Sequence, residues 1–353
     1  MIHFARNAIL ATAAVALLIS SDAAAVSRDA KELLQHIPAD TPYAIVLMEP
    51  MPDALMDKLE PALDETLSAY QRVIRYSMSE ELVELADDED GAAAAAALQG
   101  GVNALTSLMS VKGLRDAGTE RAQPFALHGN GITPLLRNSM SDADKYHAAN
   151  SRIEPQAAEK WQVASIKGNE YRYFEDPEEK VRAIIGVFDD HAVFTMVPTS
   201  FDDDALAAAL GLEKTRNNLA KSKKLSSIAK SFGYTDHLVG FVDNERIAAT
   251  FLTEPSGTDK ILFETAEFDA SEISDVCKAE IASMAGLAPR IVFGYSEVSK
   301  NFLDLNIVFE MREDIAKGLA TLPAVVPGLG IDAGGLFSFG FSLDVLAARS
   351  FYE

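Results

Sequence analysis

The sequence predicts an α+β fold: an antiparallel sheet built from repeated hairpin-then-helix units, with a helical region inserted between strands near the N-terminus. Three observations carry this expectation. Residues 124–129, 181–186 and 289–294 are short apolar runs that each end in glycine, at Gly129, Gly186 and Gly294. Each is followed by a second apolar run, at 132–140, 192–197 and 302–309, and then by an acidic stretch with helical spacing, at 142–153, 202–210 and 313–322. Strands joined by short connections pair antiparallel, and a helix returning after each pair covers one face of the sheet. Finally, residues 238–241 and 337–341 both read as strands carrying Gly-Phe and leading into a helix. Gly240, Phe241, Ala248 and Phe251 recur further on as Gly340, Phe341, Ala348 and Phe351.

Taken in order, the chain opens on a targeting pattern. Arg6 supplies a positive charge, residues 8–19 are an uncharged apolar run, and Ala23-Ala24-Ala25 places small residues where a signal peptidase inspects them. The pattern predicts a signal peptide over residues 1–25, cleaved after Ala25, and a periplasmic address. The run is too short for a bilayer-spanning helix, and no later segment reaches that length, so the protein is expected not to be membrane-spanning. A short helix at 31–36 should stop before Ile37-Pro38, because proline disfavours helix at the residue before it. Residues 43–48 read as a buried strand ended by Pro50 and Pro52. Asp53 can cap a helix with Leu55, Leu59 and Leu63 on one side, continued to about residue 86 by Leu67, Tyr70, Val73, Ile74 and Met78.

The helical arm is expected over residues 53–117, within an α+β domain of residues 26–270. Residues 271–353 read as the incomplete start of a second, related α+β domain. Within the arm, Asp87-Asp88-Glu89-Asp90-Gly91 imitates a calcium loop, but the first and twelfth positions would fall on Ala86 and Ala97, so it reads as an acidic turn.

Charge narrows the partners. A net charge of −22 repels nucleic-acid backbones and anionic lipid surfaces, so nucleic acid is not an expected partner. Lys221, Lys223, Lys224 and Lys230 form the one basic concentration and read as a solvated helix face.

No catalytic, metal or cofactor set emerges. Ser227 and Lys230 match a Ser-x-x-Lys element, and Ser299-Lys300-Asn301 imitates its second element, but the strand-borne Lys-Thr-Gly is missing. His36, His128, His147, His191 and His237 lack metal-type spacing, and His128, beside Gly129-Asn130-Gly131, reads as a turn or core partner. Asp202-Asp203-Asp204 reads as helix capping, Trp161 as a local packing anchor, and the glycines at 328, 330, 334 and 335 precede no phosphate-binding helix.

Several stretches together resemble a family of exported Gram-negative proteins of unknown function. They are Ile37-Pro38-Ala39-Asp40-Thr41-Pro42-Tyr43 with Glu49-Pro50, Gly129-Asn130-Gly131 with Pro134 and Arg137, Arg152-Ile153-Glu154, and Gly240-Phe241-Val242-Asp243. The resemblance brings no catalytic residues and implies relatives that continue beyond this chain's end.

The functional expectation is an exported envelope protein with a non-catalytic binding or scaffold role toward another envelope protein or polymer. A carrier or chaperone for a hydrophobic ligand and a hydrolase with a scattered site are the alternatives. The structural candidates are Gly129, Gly186, Gly240, Phe241, Gly294 and Cys277. Cys277 is expected on a buried helical face with Ile273, Val276, Ile281 and Met284. As a lone cysteine in an oxidising space, it is also expected to pair beyond residue 353, in a longer protein.

N-terminal sequencing of the protein recovered from a soluble envelope fraction should read Val26-Ser27-Arg28; a product beginning at Met1 would contradict the processing pattern.

Overall fold

The computed structural model describes residues 23–86, 109–118, 123–140, 142–153, 162–176 and 180–323, with isolated positions within 95–106 and 344–349. The acidic run at 87–91, Trp161 and the second Gly-Phe strand at 337–341 lie outside the described residues. Helix α1 (Ala23–Leu34) leads to β1 (Tyr43–Leu47) and the long α2 (Asp53–Ala86). After α3 (Val111–Asp116) come β2 (Phe125–Asn130), β3 (Thr133–Ser139) and α4 (Ala143–Ile153). Four strands follow in succession: β4 (Gln162–Ile166), β5 (Asn169–Asp176), β6 (Val181–Phe188) and β7 (His191–Pro198). Three helices, α5 (Asp203–Ala209), α6 (Leu219–Ser222) and α7 (Lys224–Phe232), precede β8 (Leu238–Asp243). The described chain closes with α8 (Asn244–Leu252), α9 (Gly257–Thr265), α10 (Asp275–Leu287), β9 (Arg290–Val298), β10 (Leu303–Glu310) and α11 (Glu313–Leu319).

The ten strands among the described residues form one antiparallel sheet in the order β10-β9-β8-β1-β2-β3-β7-β6-β5-β4. The α+β class and the antiparallel sheet stand as expected. β9 pairs directly with β8, Phe293 opposite Gly240 and Val292 opposite Phe241. The β4–β5 hairpin has no counterpart in the sequence reading. Its turn, Lys167-Gly168, holds both residues at positive φ (48° and 81°), as does Asp189-Asp190 between β6 and β7 (50° and 60°). Two consecutive residues at positive φ twist a two-residue loop to match its strands.

Side-chain alternation sends neighbouring strand residues to opposite faces. On one face Val46, Val239, Phe241 and Val292 meet Leu33 and Ile37 from the α1 end and Leu225 and Ile228 from α7. Further along that face, Leu135, Ile184, Val193 and Val197 pack on Leu206 and Leu210 at α5. On the other face Leu47, Phe125, Leu238 and Tyr295 are covered by Met51, Leu55 and Met56 at the start of α2. Capping fixes several helix starts: Asp202 Oδ1 accepts from Ala205 N at 2.8 Å, as expected for the aspartate run.

Two expected apolar faces are only partly buried. Along α2, Leu63 and Leu67 pack against Val111 and Leu114, and Asp64 Oδ1 accepts from Val111 N at 2.7 Å. Beyond Leu67, Tyr70 and Val73 are exposed. The burial expected for Cys277 is also corrected. α10 has no buried residue; Cys277 is exposed, and Val276 and Met284 are 69% and 70% exposed. Helical spacing identified a common face but not whether anything described covers it.

Two of the three hairpin glycines lie away from the strand ends where they were expected. Gly129 adjoins the β2–β3 turn, but Gly186 and Gly294 sit inside their strands, opposite Val193 and Asn306. What the four strand glycines share is a ring where a side chain would stand: Tyr43 on Gly129, Phe188 on Gly186, Phe293 on Gly240 and Tyr234 on Gly294. At Gly240 an added Cβ would lie 2.2 Å from the Phe293 ring and 2.9 Å from the Ala44 carbonyl oxygen, so ring and backbone both resist it.

Gly240→Ala should therefore cost about 1–3 kcal/mol in urea unfolding, the usual range for overpacking. With Phe293→Leu added, the loss should be smaller than the sum of the two single losses, because the smaller side chain relieves part of the clash.

Candidate functional site

Four basic side chains far apart in sequence converge inside the protein. Arg137 on β3 stands opposite Ala126 on β2 and Val193 on β7. The register puts His128 two residues from Ala126 and His191 two residues from Val193, so period-2 alternation brings all three to one face, flanking the arginine. His36, just past α1, completes the group: its ring lies 5.8 Å from the His191 ring, edge on. Their exposures are 1% for His36 and His128, 0% for Arg137 and 4% for His191.

Hydrogen bonding fixes one side of this cluster and leaves the other open. Arg137 Nη2 donates to the carbonyls of Leu210 at 2.9 Å and Gly211 at 2.7 Å, just after α5. His36 Nδ1 shares the Gly211 carbonyl at 2.9 Å. Gly211 adopts φ +58°, and a Cβ there would sit 3.2 Å from Arg137 Nη2, so glycine permits both the bend and the approach. By contrast, Arg137 Nε and Nη1, Nε2 of His36 and His128, Nδ1 of His191 and the Ser139 hydroxyl are buried without a hydrogen-bond partner.

Electrostatics follow from that burial. Desolvation first, then the Arg137 charge, pushes His36 and His191 down to about 4. Desolvation, with a smaller contribution from Arg137, takes His128 down to about 3; the Gly129 carbonyl opposes the fall. Arg137 itself is lowered to about 10 by burial, against the partly compensating charge of Asp189, which is exposed in the β6–β7 turn. At neutral pH the cluster is one guanidinium cation among three neutral imidazoles. A metal ion does not suit it, because the guanidinium occupies the middle of the group; among the described residues no set of metal-ligating side chains is assembled.

Three stretches far apart in sequence, 41–43, 129–132 and 242–243, meet beside this cluster. The Thr41 hydroxyl lies 2.8 Å from the Gly129 carbonyl and accepts from Gly129 N at 3.1 Å, while Asp243 N donates to the Pro42 carbonyl at 2.8 Å. Asp259, at the start of α9, closes the β2–β3 turn by accepting from Ile132 N at 2.8 Å; burial raises its carboxyl above the usual range. Tyr43 is raised too, by its burial and then by the Asp259 charge.

The other sequence candidates do not join the cluster. Phe241 is fully buried on the neighbouring part of the sheet, with Lys224 Nζ 3.7 Å above its ring. Lys224 is thereby held against the core, whereas Lys221, Lys223 and Lys230 are exposed as expected. Ser227 and Lys230 both face solvent on α7. His147, from α4, lines only a small depression with Tyr146, Glu170 and Arg172. Sequence reasoning considered each histidine singly. Grouping His128 with Arg137 and His191 required the β2–β3–β7 register. Compared with known protein families, curated proteins and solved structures, the chain matches none.

Acid should loosen this core with a defined sign. The unfolded chain's histidines take up protons below about pH 6.5, whereas His36 and His191 stay neutral in the fold to about 4 and His128 to about 3. Stability is therefore full above pH 6.5 and falls as pH drops toward 4, with a limiting slope of about 4 kcal/mol per pH unit if all three contribute. Urea titrations from pH 7 to 4.5 check this, and replacing His36 and His191 with glutamine should flatten the decline.

Proposed function

We propose that this is an exported envelope protein that binds another protein without catalysis, by taking up an extended segment of its partner along the free edge of β10. The observation that carries the reading is the chemistry of that edge. Phe302, Leu305, Ile307 and Phe309 are 53%, 48%, 57% and 53% exposed, beside a row of backbone groups with no neighbouring strand among the described residues. Exposed edges are ordinarily guarded by lysine, proline or outward charge. β10, with the sequence LDLNIVFE, has no lysine or proline. Its two carboxylates are engaged with the adjacent strand: Glu310 pairs with Arg290, and Asp304 accepts from Ser296. The opposite edge, β4, presents Gln162, Val163 and Ser165 outward and is far less apolar.

A partner strand would gain ladder hydrogen bonds and place alternate apolar side chains over Leu305, Ile307 and Phe309. The net charge of −22 favours basic residues flanking that segment. Export rests on the N-terminal pattern and agrees with the family the sequence resembles. The same reading takes the hairpin-then-helix stretches as copies of one unit. Its support is that β2–β3, β6–β7 and β9–β10 are each followed by a helix, with Gly129, Gly186 and Gly294 in the first strands.

A photo-crosslinking residue at position 307 should label a specific envelope protein in intact cells, while one at Val163 should not. Ile307→Pro, which removes a backbone donor, should weaken that partner's binding about tenfold, as expected for roughly one or two lost hydrogen bonds. Equal labelling from both edges would refute edge recognition.

A further inference from the structure

The buried cluster around Arg137 has an unbalanced charge. A guanidinium at 0% exposure needs a counter-charge or a full set of acceptors, because an unpaired buried ion carries a desolvation penalty of several kcal/mol. Here only Nη2 is satisfied, by two backbone carbonyls, while Nε and Nη1 have no partner. Three histidine ring nitrogens and the Ser139 hydroxyl, buried on the same part of the sheet, are also unsatisfied. Buried polar groups left without partners in a native fold point to an unseen water or ion.

We propose that His36, His128, Arg137, Ser139 and His191, buried together with unpartnered polar atoms, form a binding site for one small monovalent inorganic anion, with chloride as its natural probe. The charge count sets the valence: with the imidazoles neutral, the cluster carries one positive charge, and one monovalent anion cancels it. Burial sets the size, since none of the four basic residues exceeds 4% exposure and a metabolite or polymer end has no described route in. The Arg137 Nε and Nη1 hydrogens and the Ser139 hydroxyl are the donors available at neutral pH.

Anion and proton uptake are coupled in this site. A histidine that gains a proton gains a second N–H donor, so the bound anion makes protonation easier and protonation makes the anion bind tighter. The charged groups acting on the histidines from surrounding elements are Arg137 itself, Asp189 in the β6–β7 turn, Glu32 on α1 and Lys214 in the connection after α5. Asp189 and Glu32 favour the proton; Lys214 opposes it. The linked anion affinity should rise by up to about tenfold per pH unit for each proton taken up.

The test uses the unaltered protein. Thermal unfolding is followed in sodium chloride and in sodium gluconate at equal ionic strength, at pH 7 and pH 5.5. Chloride should raise the midpoint saturably, with a smaller half-saturating concentration at the lower pH. Crystals grown in bromide should show anomalous density within hydrogen-bond distance of Arg137 Nε or Nη1. Arg137→Met, if it folds, should lose the chloride response. Identical midpoints in the two salts at both pH values, or water alone in the bromide crystal, would overturn the proposal.

Discussion

The two halves of the sheet meet at β1, so the fold depends on five residues keeping two ladders at once. Tyr43–Leu47 pairs with β2 on one side, Ala44 opposite His128, and with β8 on the other, Ala44 opposite Phe241. Backbone hydrogen bonds contribute only about 1 kcal/mol each, so the strand's hold also depends on what it buries. Ala44 and Val46 face α1 and α7, while Leu47 faces α2, and all three are essentially inaccessible. A break here would separate β8–β10 from the remaining strands, since no other described strand links the two groups.

The Arg137 cluster occupies the adjoining half of the same layer, next to apolar packing from Leu135, Val193 and Leu210. Its polar groups make that part of the core sensitive to solution conditions in a way an aliphatic core is not. Unlike hydrophobic contacts, which are nearly indifferent to pH, imidazoles beside a guanidinium respond to every proton gained. The carbonyls of Leu210 and Gly211 tie the cluster to the end of α5, so a disturbance there reaches a helix as well as three strands.

Much of the architecture was legible because local signals agreed. The strand at Tyr43, the three apolar pairs and the Asp202 cap all lie where pattern and capping chemistry place them. The β4–β5 hairpin escaped notice because its Lys167-Gly168 turn lacks the usual Asn-Gly or Asp-Gly pair, and because β5 is studded with charge in NEYRYFED. The spacing of Val276, Cys277 and Met284 revealed a common helical face, but sequence periodicity carries no information about what lies opposite. The candidate site was least visible of all. Each histidine looks ordinary alone, and only the register between β2, β3 and β7 shows that they share one arginine.

The central position of β1 also bears on the order of assembly. In a chain that emerges N-terminus first, Tyr43–Leu47 is among the earliest strands to appear, yet its partners β2 and β8 come much later, and β8 follows after six intervening strands. Such long loops must close before the central ladders form, a pattern associated with slow folding and transiently open strand edges. Until residue 243 has emerged, the middle of the sheet presents an unpaired edge at β1, so a holding factor or a delay in collapse would matter most during that interval.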